Sequence, residues 1–577
     1  MPPIGRSLLA AGAAAAVIVA GAANPAAASP TRADQTSALE RKRVDSVKTP
    51  QLDWYKCYGY AECTTTRLPL DYDKPKGATT EIALLRVKAT DQKHKIGSLF
   101  INPGGPGGSG TQLALAAPFF LDPSLLARFD IVGVDPRGVA ASDNVKCWKS
   151  IKDQTGVLQD LNIAFPWGKA EEAKYVNAAE KFGKACSTTG KPLSGSMSTA
   201  EVVRDMDVLR RAVGDKKLSY LGFSYGTAIG QYYANMFPDR FRAIVVDGVL
   251  DPEHWVGTKQ TAGQEQDERL RSADGAYRAL QEILKRCDTA GEAYCAFAAG
   301  DPAQRFAAIA ASLRQKPLVV DDGTGGFTIT YADFVGGMLG DLFSVGAGDL
   351  VTQDAQFIWT LLNPASAAAK ASAKAGLIKR IKDARAKAGR DFPYDNSFET
   401  FEAVDCTDAL HPADAGQWPS LMVKADQRAP YFGRAWGWET VPCARNTWTV
   451  RDEDAYTGPW NRRTAAPVLI VGTKWDPATN YDDAVSASNR LPNSRLISNT
   501  NWGHTSYGSS ACVTGAIDTY LLSGTLPAKG TLCEGDYQPF TTPLPTDPAA
   551  TLKATAVEAH RPPVATPLLP STLNGNR

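Results

Sequence analysis

The chain has 577 residues, of which 44% are hydrophobic and 21% are charged, and its formal net charge at pH 7 is +1. A charge so close to zero gives no electrostatic reason to expect binding to nucleic acid or to an anionic membrane. The length allows one large domain with an insertion, or two to three domains.

The N-terminus has the pattern of a secretory signal peptide. Arg6 precedes an apolar run over residues 8–23, and alanines at 26–28 favour cleavage after Ala28. The run is short and alanine-rich, which disfavours a membrane anchor, and no other segment is apolar for long enough to span a bilayer. We therefore expect residues 1–28 to be removed and the mature protein to be secreted, extracellular or associated with the cell wall. The polar segment 29–50 is interpreted as a linker or a pro-segment.

Residues 51–252 alternate between apolar runs and helical patterns. The apolar runs predict strands at residues 81–87, 97–101, 129–138, 218–221 and 241–249. A helix with a Ser or Thr cap is predicted over residues 198–213, before the fourth of these strands. Near-continuous apolar runs are typical of parallel strands that are covered on both faces. The alternation predicts an α/β fold with a doubly wound, mostly parallel sheet.

A Gly-rich loop, residues 102–110, follows the second predicted strand. It lacks the Lys-Ser/Thr of a phosphate-binding loop and the spacing of a dinucleotide fingerprint. It fits the loop of an α/β-hydrolase whose backbone N–H groups face the carbonyl oxygen under attack. Since Pro103 and Pro106 have no N–H, the donor must be Gly104 or Gly105. We favour Gly105 for the oxyanion hole.

Residues 222–226 read Gly-Phe-Ser-Tyr-Gly and lie between a predicted strand and a predicted helix that begins at Thr227. In this context Gly-x-Ser-x-Gly is a nucleophile elbow, a strained turn that presents the serine hydroxyl at the carboxyl end of the sheet. In isolation the pentapeptide could arise by chance in a Gly-rich chain. The context makes Ser224 the candidate nucleophile and the N–H of Tyr225 the second oxyanion donor.

Helical patterns dominate residues 253–462, at 260–286, 301–315, 331–343 and 367–388. We interpret this segment as a helical cap over the active site; an independent helical domain is the alternative. Strand patterns at 466–472 and 494–497 resume the sheet in residues 463–535, which favours the cap. Residues 536–577 are rich in Pro, Thr and Ala, and we expect a disordered tail or an extended stalk.

A serine nucleophile needs a base and an acid, in the chain order Ser, Asp or Glu, His for this fold. Asp476 follows the strand at 466–472, and His504 follows the last strand. A turn or helix-capping aspartate is the alternative for Asp476, with Asp482 and Asp483 as fallback acids. His504 is the one histidine after a final strand, among the five of the chain: His94, His254, His411, His504 and His560.

The ten cysteines fit an exported protein, because disulfides persist in oxidising compartments. We expect no metal, since no CxxC pair occurs, and no cofactor. Pairing of sequence neighbours is a hypothesis, because connectivity cannot be deduced from sequence. It gives Cys57 with Cys63, Cys147 with Cys186, Cys287 with Cys295, Cys406 with Cys443, and Cys512 with Cys533.

Over residues 52–535 the chain resembles the secreted tripeptidyl aminopeptidases of actinomycetes, relatives of the prolyl aminopeptidases. The resemblance lies in Trp54, Cys63, Pro69-Leu70-Asp71-Tyr72, the Gly-rich loop 102–110, Asp135-Pro136-Arg137-Gly138 and the elbow 222–226. It implies an α/β-hydrolase that releases short fragments from peptide N-termini through an acyl-enzyme. By it, Ser224 is the nucleophile, Asp476 the orienting acid and His504 the general base.

One departure from the family pattern limits which properties of the family can be expected of this chain. Prolyl aminopeptidases usually begin the Gly-rich loop with His, where this chain has Asn102-Pro103, so a preference for proline is not carried over. The competing interpretations are a prolyl-type aminopeptidase, an esterase or amidase on small acyl substrates, and a catalytically silent binding scaffold.

An aminopeptidase must also bind a free ammonium group, which requires carboxylates near the acyl site. The candidates on the cap are Glu253, Glu402, Asp405, Asp408 and Glu439, and a solvated surface charge is the alternative for each. The sequence does not rank them. We expect peptides with a free N-terminus as substrates, and a monomer.

Overall fold

The computed structural model describes residues 33–321, 326–387, 394–544 and 562–563. The expected signal peptide, residues 1–28, and most of the predicted tail lie outside the described residues. Within the described chain, ten strands form one sheet and two form a separate hairpin. The strands are β1 (Tyr55–Cys57), β2 (Ala61–Pro69), β3 (Thr79–Val87), β4 (Gly97–Asn102), β5 (Phe129–Val134), β6 (Leu218–Phe223), β7 (Phe241–Asp247), β8 (Leu318–Val320), β9 (Phe327–Ile329), β10 (Val468–Trp475), β11 (Ser494–Trp502) and β12 (Leu532–Cys533).

The α-helices fall into three groups along the described chain. Those before the insertion are α1 (Ala38–Asp45), α2 (Gly110–Ala116), α3 (Pro123–Arg128), α4 (Ile151–Leu161), α5 (Lys169–Cys186), α6 (Thr199–Ala212) and α7 (Gly226–Met236). Those between β7 and β10 are α8 (Pro252–Val256), α9 (Gln266–Leu270), α10 (Ser272–Ala290), α11 (Pro302–Gln315), α12 (Tyr331–Leu342), α13 (Ala347–Leu362), α14 (Ala367–Lys387), α15 (Ser397–Asp408), α16 (Trp418–Arg428) and α17 (Phe432–Gly437). The last two are α18 (Tyr481–Arg490) and α19 (Ala511–Ser523).

The large sheet has the strand order β1-β2-β3-β5-β4-β6-β7-β10-β11-β12. The pairs among β1, β2, β3 and β5 are antiparallel, and every pair from β5 to β12 is parallel. Because β7 pairs directly with β10, the helical segment between them leaves the sheet and returns without separating the two strands. The structure confirms the predicted α/β fold with a doubly wound, mostly parallel sheet and a mainly helical insertion.

The apolar runs form central strands because both faces of the sheet are covered. Along β10, Val468 and Ile470 belong to one hydrophobic cluster, whereas Leu469 and Val471 belong to the cluster on the other face. Successive side chains of a strand point to opposite faces, so a strand buried on both sides must be apolar at every position. The same constraint makes these strands recognisable in the sequence.

Two features of the insertion differ from the sequence-based prediction. The helical run expected over 260–286 is divided into α9 and α10 by Arg271, which adopts the left-handed conformation with φ 60°. The antiparallel hairpin of β8 and β9 was not predicted, because three-residue strands carry too short a pattern to be recognised.

The described part of the segment expected to be a linker or pro-segment is folded against the core. Helix α1 is capped by Ser37 and places Glu40 against Arg204 of α6, with two N–O contacts of 2.9 Å. Arg204 also pairs with Glu201 at 2.7 Å and with Asp454 at 3.0 Å, and all of these groups are buried or nearly so. This ion network joins α1, α6 and the stretch that precedes β10.

The described beginning of the predicted tail is also packed. The hydroxyl of Tyr537 donates to Asp349 of α13, and Arg286 of α10 donates to the side chain of Gln538 at 2.8 Å. The backbone N–H of Leu544 donates to Ala293 at 2.8 Å. The disordered or stalk-like tail expected from residue 536 therefore does not begin there. The Pro- and Thr-rich composition gave no indication of these contacts.

The structure joins the ten cysteines in the five couples given by sequence adjacency, Cys57–Cys63, Cys147–Cys186, Cys287–Cys295, Cys406–Cys443 and Cys512–Cys533. Among the described residues, no helix combines the length and apolar character that crossing a membrane requires.

The network around α1 predicts that residues before the sheet contribute to stability. Glu40→Ala leaves Arg204 buried without one of its carboxylates, and removing one partner of a buried pair costs about 3–5 kcal/mol. We expect a clear loss in the free energy of unfolding measured with urea. Leu39→Ala on the exposed side of the same helix is the control. An unchanged midpoint for Glu40→Ala would show that α1 is dispensable.

Candidate active site

Ser224 lies on a strained turn between β6 and α7. Its φ is 54°, a left-handed conformation that is costly for a residue with a side chain. The turn is held because the N–H of Ser224 donates to the carbonyl of Asp247 at 3.0 Å, and the carbonyl of Ser224 accepts the N–H of Thr227 at 2.8 Å. The serine thus lies immediately before the first turn of α7, and the N-terminus of a helix favours negative charge nearby.

His504 and Asp476 make a close, buried contact. Nδ1 of His504 lies 2.9 Å from each carboxylate oxygen of Asp476. Asp476 follows β10 directly and also accepts the backbone N–H groups of Ala478 and Thr479, at 2.8 and 2.9 Å. These bonds fix the carboxylate, which in turn fixes the orientation of the imidazole. The ring of Phe343 from the insertion packs edge-on against His504, with 5.3 Å between ring centroids.

Asp247, at the end of β7, connects the turn of Ser224 with the loop of His504. Its carbonyl accepts the N–H of Ser224, and its carboxylate accepts the N–H groups of Ser506 and Tyr507 at 3.0 and 2.8 Å. Burial raises the pKa of this carboxyl group to about 6, although the two backbone N–H groups lower it. The residue thereby sets the relative position of two loops from different strands.

The Gly-rich loop lies directly against the serine turn. Gly104 has φ 90°, and its N–H is already bound to the side chain of Asn102 at 2.9 Å. Gly105 has φ 111° and lines the same cavity as Ser224. Because the N–H of Gly104 is occupied, Gly105 is the glycine of the two that can donate to a ligand. The far end of the loop is held by Asp135, which accepts the hydroxyl of Ser109 at 2.7 Å.

A cavity lies at Ser224, between the sheet and the insertion. Its walls are mostly apolar, with a few polar groups, as is usual for small-molecule sites. It is lined by Gly105, Ser224, Leu250, Trp255, Gln266, Asp267, Leu270, Ser272, Phe401, Trp436, Glu439, Thr440, Ala478 and Thr479. Nε1 of Trp436, Oε1 of Glu439 and Oγ1 of Thr440 are buried atoms with no hydrogen-bond partner among the described residues.

The five carboxylates expected on the cap are in different places. Glu439 lines the cavity of Ser224, and Glu402 lines a neighbouring cavity that Glu439 also borders. Asp405 accepts a hydrogen bond from Gln266, and Asp408 accepts those of Thr199 and Trp255, at 2.7 and 2.9 Å.

Glu253 is 38% exposed at its side chain, pairs with Arg490 at 2.9 Å and lines neither cavity. The structure therefore separates Glu402 and Glu439 from the other three candidates.

The fallback acids do not contact His504. Asp483 pairs with Nδ1 of His254 at 2.7 Å, and Asp482 pairs with Arg278 at 3.1 Å. Both lie in the first turn of α18, where acidic residues stabilise the helix end.

Asp267 is a cavity residue that the sequence analysis missed. Its carboxylate forms an ion pair with Arg428 and accepts the N–H of Ala273 at 2.9 Å. Burial raises the pKa of its carboxyl group, whereas the guanidinium of Arg428 lowers it. No local pattern distinguishes Asp267 from the many surface acids of the helical insertion, so the sequence carried no signal for it.

Two family models match the chain. One, described as "TAP-like protein", matches residues 429–533, and one, described as "alpha/beta hydrolase fold", matches residues 97–276. The first covers the segment of Asp476 and His504, and the second covers the Gly-rich loop and Ser224.

Three relatives illustrate the range of names among similar proteins. A protein named tripeptidyl aminopeptidase from Streptomyces coelicolor is 29% identical over 86% of this chain and 87% of its own. A protein from Mycobacterium tuberculosis named serine protease Hip1 is 29% identical over 83% of this chain and 88% of its own. Another from the same organism, named carboxylesterase B, is 29% identical over 84% of this chain and 91% of its own.

Because the Gly-rich loop packs closely against the serine turn, replacing Gly104 by alanine should reduce activity. A Cβ at Gly104 would lie 2.5 Å from the carbonyl oxygen of Phe223 and 2.7 Å from Cβ of Ser224. Gly104→Ala should displace the serine turn and lower kcat/KM on any ester or amide substrate by about 100-fold, the scale of losing one oxyanion donor.

Gly214→Ala is the matched control, because Gly214 has φ 91° and nothing within 4 Å of an added Cβ. Both variants introduce backbone strain, and Gly104→Ala adds a steric clash, so its thermal midpoint should fall further; both should stay folded at the assay temperature, while only Gly104→Ala should lose activity. Equal activity in the two variants would contradict the proximity argument.

Proposed function

We propose that the chain is a serine hydrolase of the tripeptidyl aminopeptidase-like α/β-hydrolase family, and that it is a secreted exopeptidase that removes short, tripeptide-sized units from free peptide N-termini. The observation that carries the proposal is the 2.9 Å contact of His504 with Asp476, in the loop that Asp247 ties to the strained turn of Ser224. Five disulfides in the described chain support an exported enzyme.

In the acylation step, the hydroxyl oxygen of Ser224 attacks the carbonyl carbon of the scissile peptide bond. His504 takes the hydroxyl proton at Nε2, because Asp476 holds the proton of Nδ1 and stabilises the imidazolium that forms. The carbonyl oxygen becomes an oxyanion, which the N–H groups of Gly105 and Tyr225 stabilise.

Collapse of the tetrahedral intermediate breaks the C–N bond. His504 returns its proton to the leaving nitrogen, so the C-terminal part of the peptide departs as a free amine and the N-terminal fragment remains as an ester of Ser224. A water molecule, deprotonated by the same imidazole, then hydrolyses the ester and regenerates the serine. These proposed reaction steps require no cofactor.

The cap gives the reaction its N-terminal selectivity in this proposal. Residues of the insertion line the cavity of Ser224, and in this proposal they leave room for a short chain end only. Glu439 lines that cavity and supplies a carboxylate for the ammonium group of the substrate. A family relative named carboxylesterase B supports a second candidate function, hydrolysis of small esters by the same residues.

The assignment of Ser224 predicts the loss of both turnover and covalent labelling. In Ser224→Ala, kcat should fall by at least about 10⁴-fold, since no other group provides the attacking oxygen. A fluorescent peptidyl phosphonate should label the native protein and Ser523→Ala, an exposed control in the last helix, but not Ser224→Ala. Persistent labelling of Ser224→Ala at unchanged stoichiometry would refute the assignment.

The aminopeptidase function predicts dependence on a free amine. N-acetylation of a tripeptide p-nitroanilide should lower kcat/KM by about 100-fold, because it removes a charge-assisted contact worth roughly 1.5–3 kcal/mol and leaves a buried carboxylate unpaired. Mass spectrometry of products from an unblocked peptide ladder should show three-residue N-terminal fragments. Equal turnover of the blocked and free substrates would instead favour the esterase or amidase.

A further inference from the structure

Tyr225, whose N–H is the second donor of the proposed oxyanion hole, also makes a contact through its side chain. The residue is 3% exposed, and its hydroxyl oxygen lies 2.6 Å from Oγ1 of Thr199, the first residue of α6. The elbow is therefore held by a helix that precedes it in the chain, as well as by its own turn.

Thr199 is bound at two atoms by a carboxylate of the insertion. Oδ1 of Asp408 accepts the backbone N–H of Thr199 at 2.7 Å, and Oδ2 accepts its hydroxyl at 2.5 Å. Because that hydroxyl gives its proton to Asp408, its oxygen is left to accept the proton of the Tyr225 hydroxyl. The three side chains form a directed series of hydrogen bonds from the insertion, through α6, to the elbow.

A third donor completes the surroundings of the carboxylate. Nε1 of Trp255, in α8, donates to Oδ2 of Asp408 at 2.9 Å. Asp408 lies against the N-terminus of α6, where the helix dipole favours negative charge. Burial raises the pKa of its carboxyl group to about 6, although the bonds from Thr199 and Trp255 lower it, so the group is ionised at neutral pH and accepts all three donors.

Trp255 links the same carboxylate to the cavity of Ser224. The indole is buried, lines that cavity and packs against the ring of Tyr225, with 5.5 Å between ring centroids. Asp408 therefore fixes two features of the site at once: a wall of the cavity and the residue that follows the nucleophile.

We propose that Asp408 and Thr199 are positioning residues, which hold the side chain of Tyr225 so that its backbone N–H meets the oxyanion formed on the substrate carbonyl. The proposal rests on the proposed function, because it requires an oxyanion at Ser224. Asp408 and Thr199 do not line the cavity of Ser224, so they act through Tyr225 and not on the substrate. The oxyanion hole then depends on a contact between the insertion and the core.

The position of Tyr225 is sensitive to this contact because of the turn in which it lies. Ser224 before it has φ 54°, and Tyr225 itself precedes α7 without a side-chain bond to the first turn of that helix. A displacement of about 1 Å at such a site costs roughly 10²-fold in rate. Loss of the contact should therefore weaken transition-state stabilisation more than substrate binding.

The test breaks the series of hydrogen bonds at three positions in the full chain. Thr199→Val removes a hydroxyl at nearly constant volume, Asp408→Asn removes the charge, and Tyr225→Phe removes the phenolic oxygen but keeps the N–H. Each variant should lower kcat/KM for a tripeptide p-nitroanilide by about 10- to 100-fold, mainly in kcat. Thr199→Ser retains the hydroxyl and should recover most of the activity.

Thr352→Val is the matched control. Thr352 is 2% exposed and donates its hydroxyl to the carbonyl of Gly348 at 2.8 Å within α13, which lines neither cavity. It should keep native kinetics. The double variant Thr199→Val/Tyr225→Phe should lose no more activity than the more severe single variant, because both changes break the same series. Losses that multiply would contradict the proposal.

A pair of ligands distinguishes positioning from general destabilisation. With a tripeptidyl trifluoromethyl ketone, the Ser224 oxygen bonds to the carbonyl carbon, His504 takes the hydroxyl proton, and the ketone oxygen becomes an oxyanion in the hole. The corresponding alcohol has no carbonyl group. Thr199→Val should raise the inhibition constant of the ketone by the factor by which it lowers kcat/KM, and that of the alcohol by less than about twofold.

The outcomes separate this proposal from the proposed function. If the native protein binds the ketone no more tightly than the alcohol, the serine mechanism itself fails. If the native protein prefers the ketone and the variants keep that preference, or lose affinity for both ligands alike, the positioning role is overturned and the proposed function stands. Tyr225→Phe, the mildest change, decides the question if Thr199→Val does not fold.

Discussion

The hydrogen bonds of Asp247 hold together the two loops that must meet for the serine to react. Its carbonyl accepts the N–H of Ser224, and its carboxylate accepts the N–H groups of Ser506 and Tyr507, two and three residues after His504. Strand β7 lies between β6 and β10 in the sheet. Asp247, at its end, therefore fixes the position of the Ser224 turn relative to the His504 loop. A displacement of about 1 Å in such a site costs roughly 10²-fold in rate, so the rigidity of this junction is a condition for the chemistry.

The insertion adds a second constraint on the same loop. The carbonyl of Phe343, just after α12, accepts the N–H of His504 at 3.1 Å, and its ring packs against the imidazole. The histidine is therefore positioned from the sheet side by Asp476 and from the insertion side by Phe343. Because Ser224 and His504 are also buried, the fixed N–H groups and carboxylates act in a medium of lower dielectric constant than water, where electrostatic interactions are stronger.

The features that were predictable from sequence are those with a local signature. β6, β7 and β10 are continuous apolar runs because they are covered on both faces, and the order of Ser224, Asp476 and His504 follows from the fold. The packing of α1 and of the residues around Tyr537 depends on partners far away in the chain, so composition suggested a linker and a tail instead. The sequence could not distinguish Glu402 from Asp408 as ligands of the substrate amine, because both are acidic residues of the same helix. The two residues differ in their contacts with distant parts of the chain, which only the structure shows.

In the proposed function, that difference in partners is also what gives the site its selectivity. A carboxylate already satisfied by Thr199 and Trp255, as Asp408 is, gains little from an incoming ammonium group. Glu439, whose Oε1 has no partner among the described residues, gains a full charge-assisted interaction from it. Sites that leave buried polar groups unpaired in the absence of the right substrate reject analogues that lack the complementary group, often by 10⁴-fold or more. In the proposed function, the unpartnered Oε1 of Glu439 is thus the physical basis for discrimination between a free peptide end and any other acyl group that reaches Ser224.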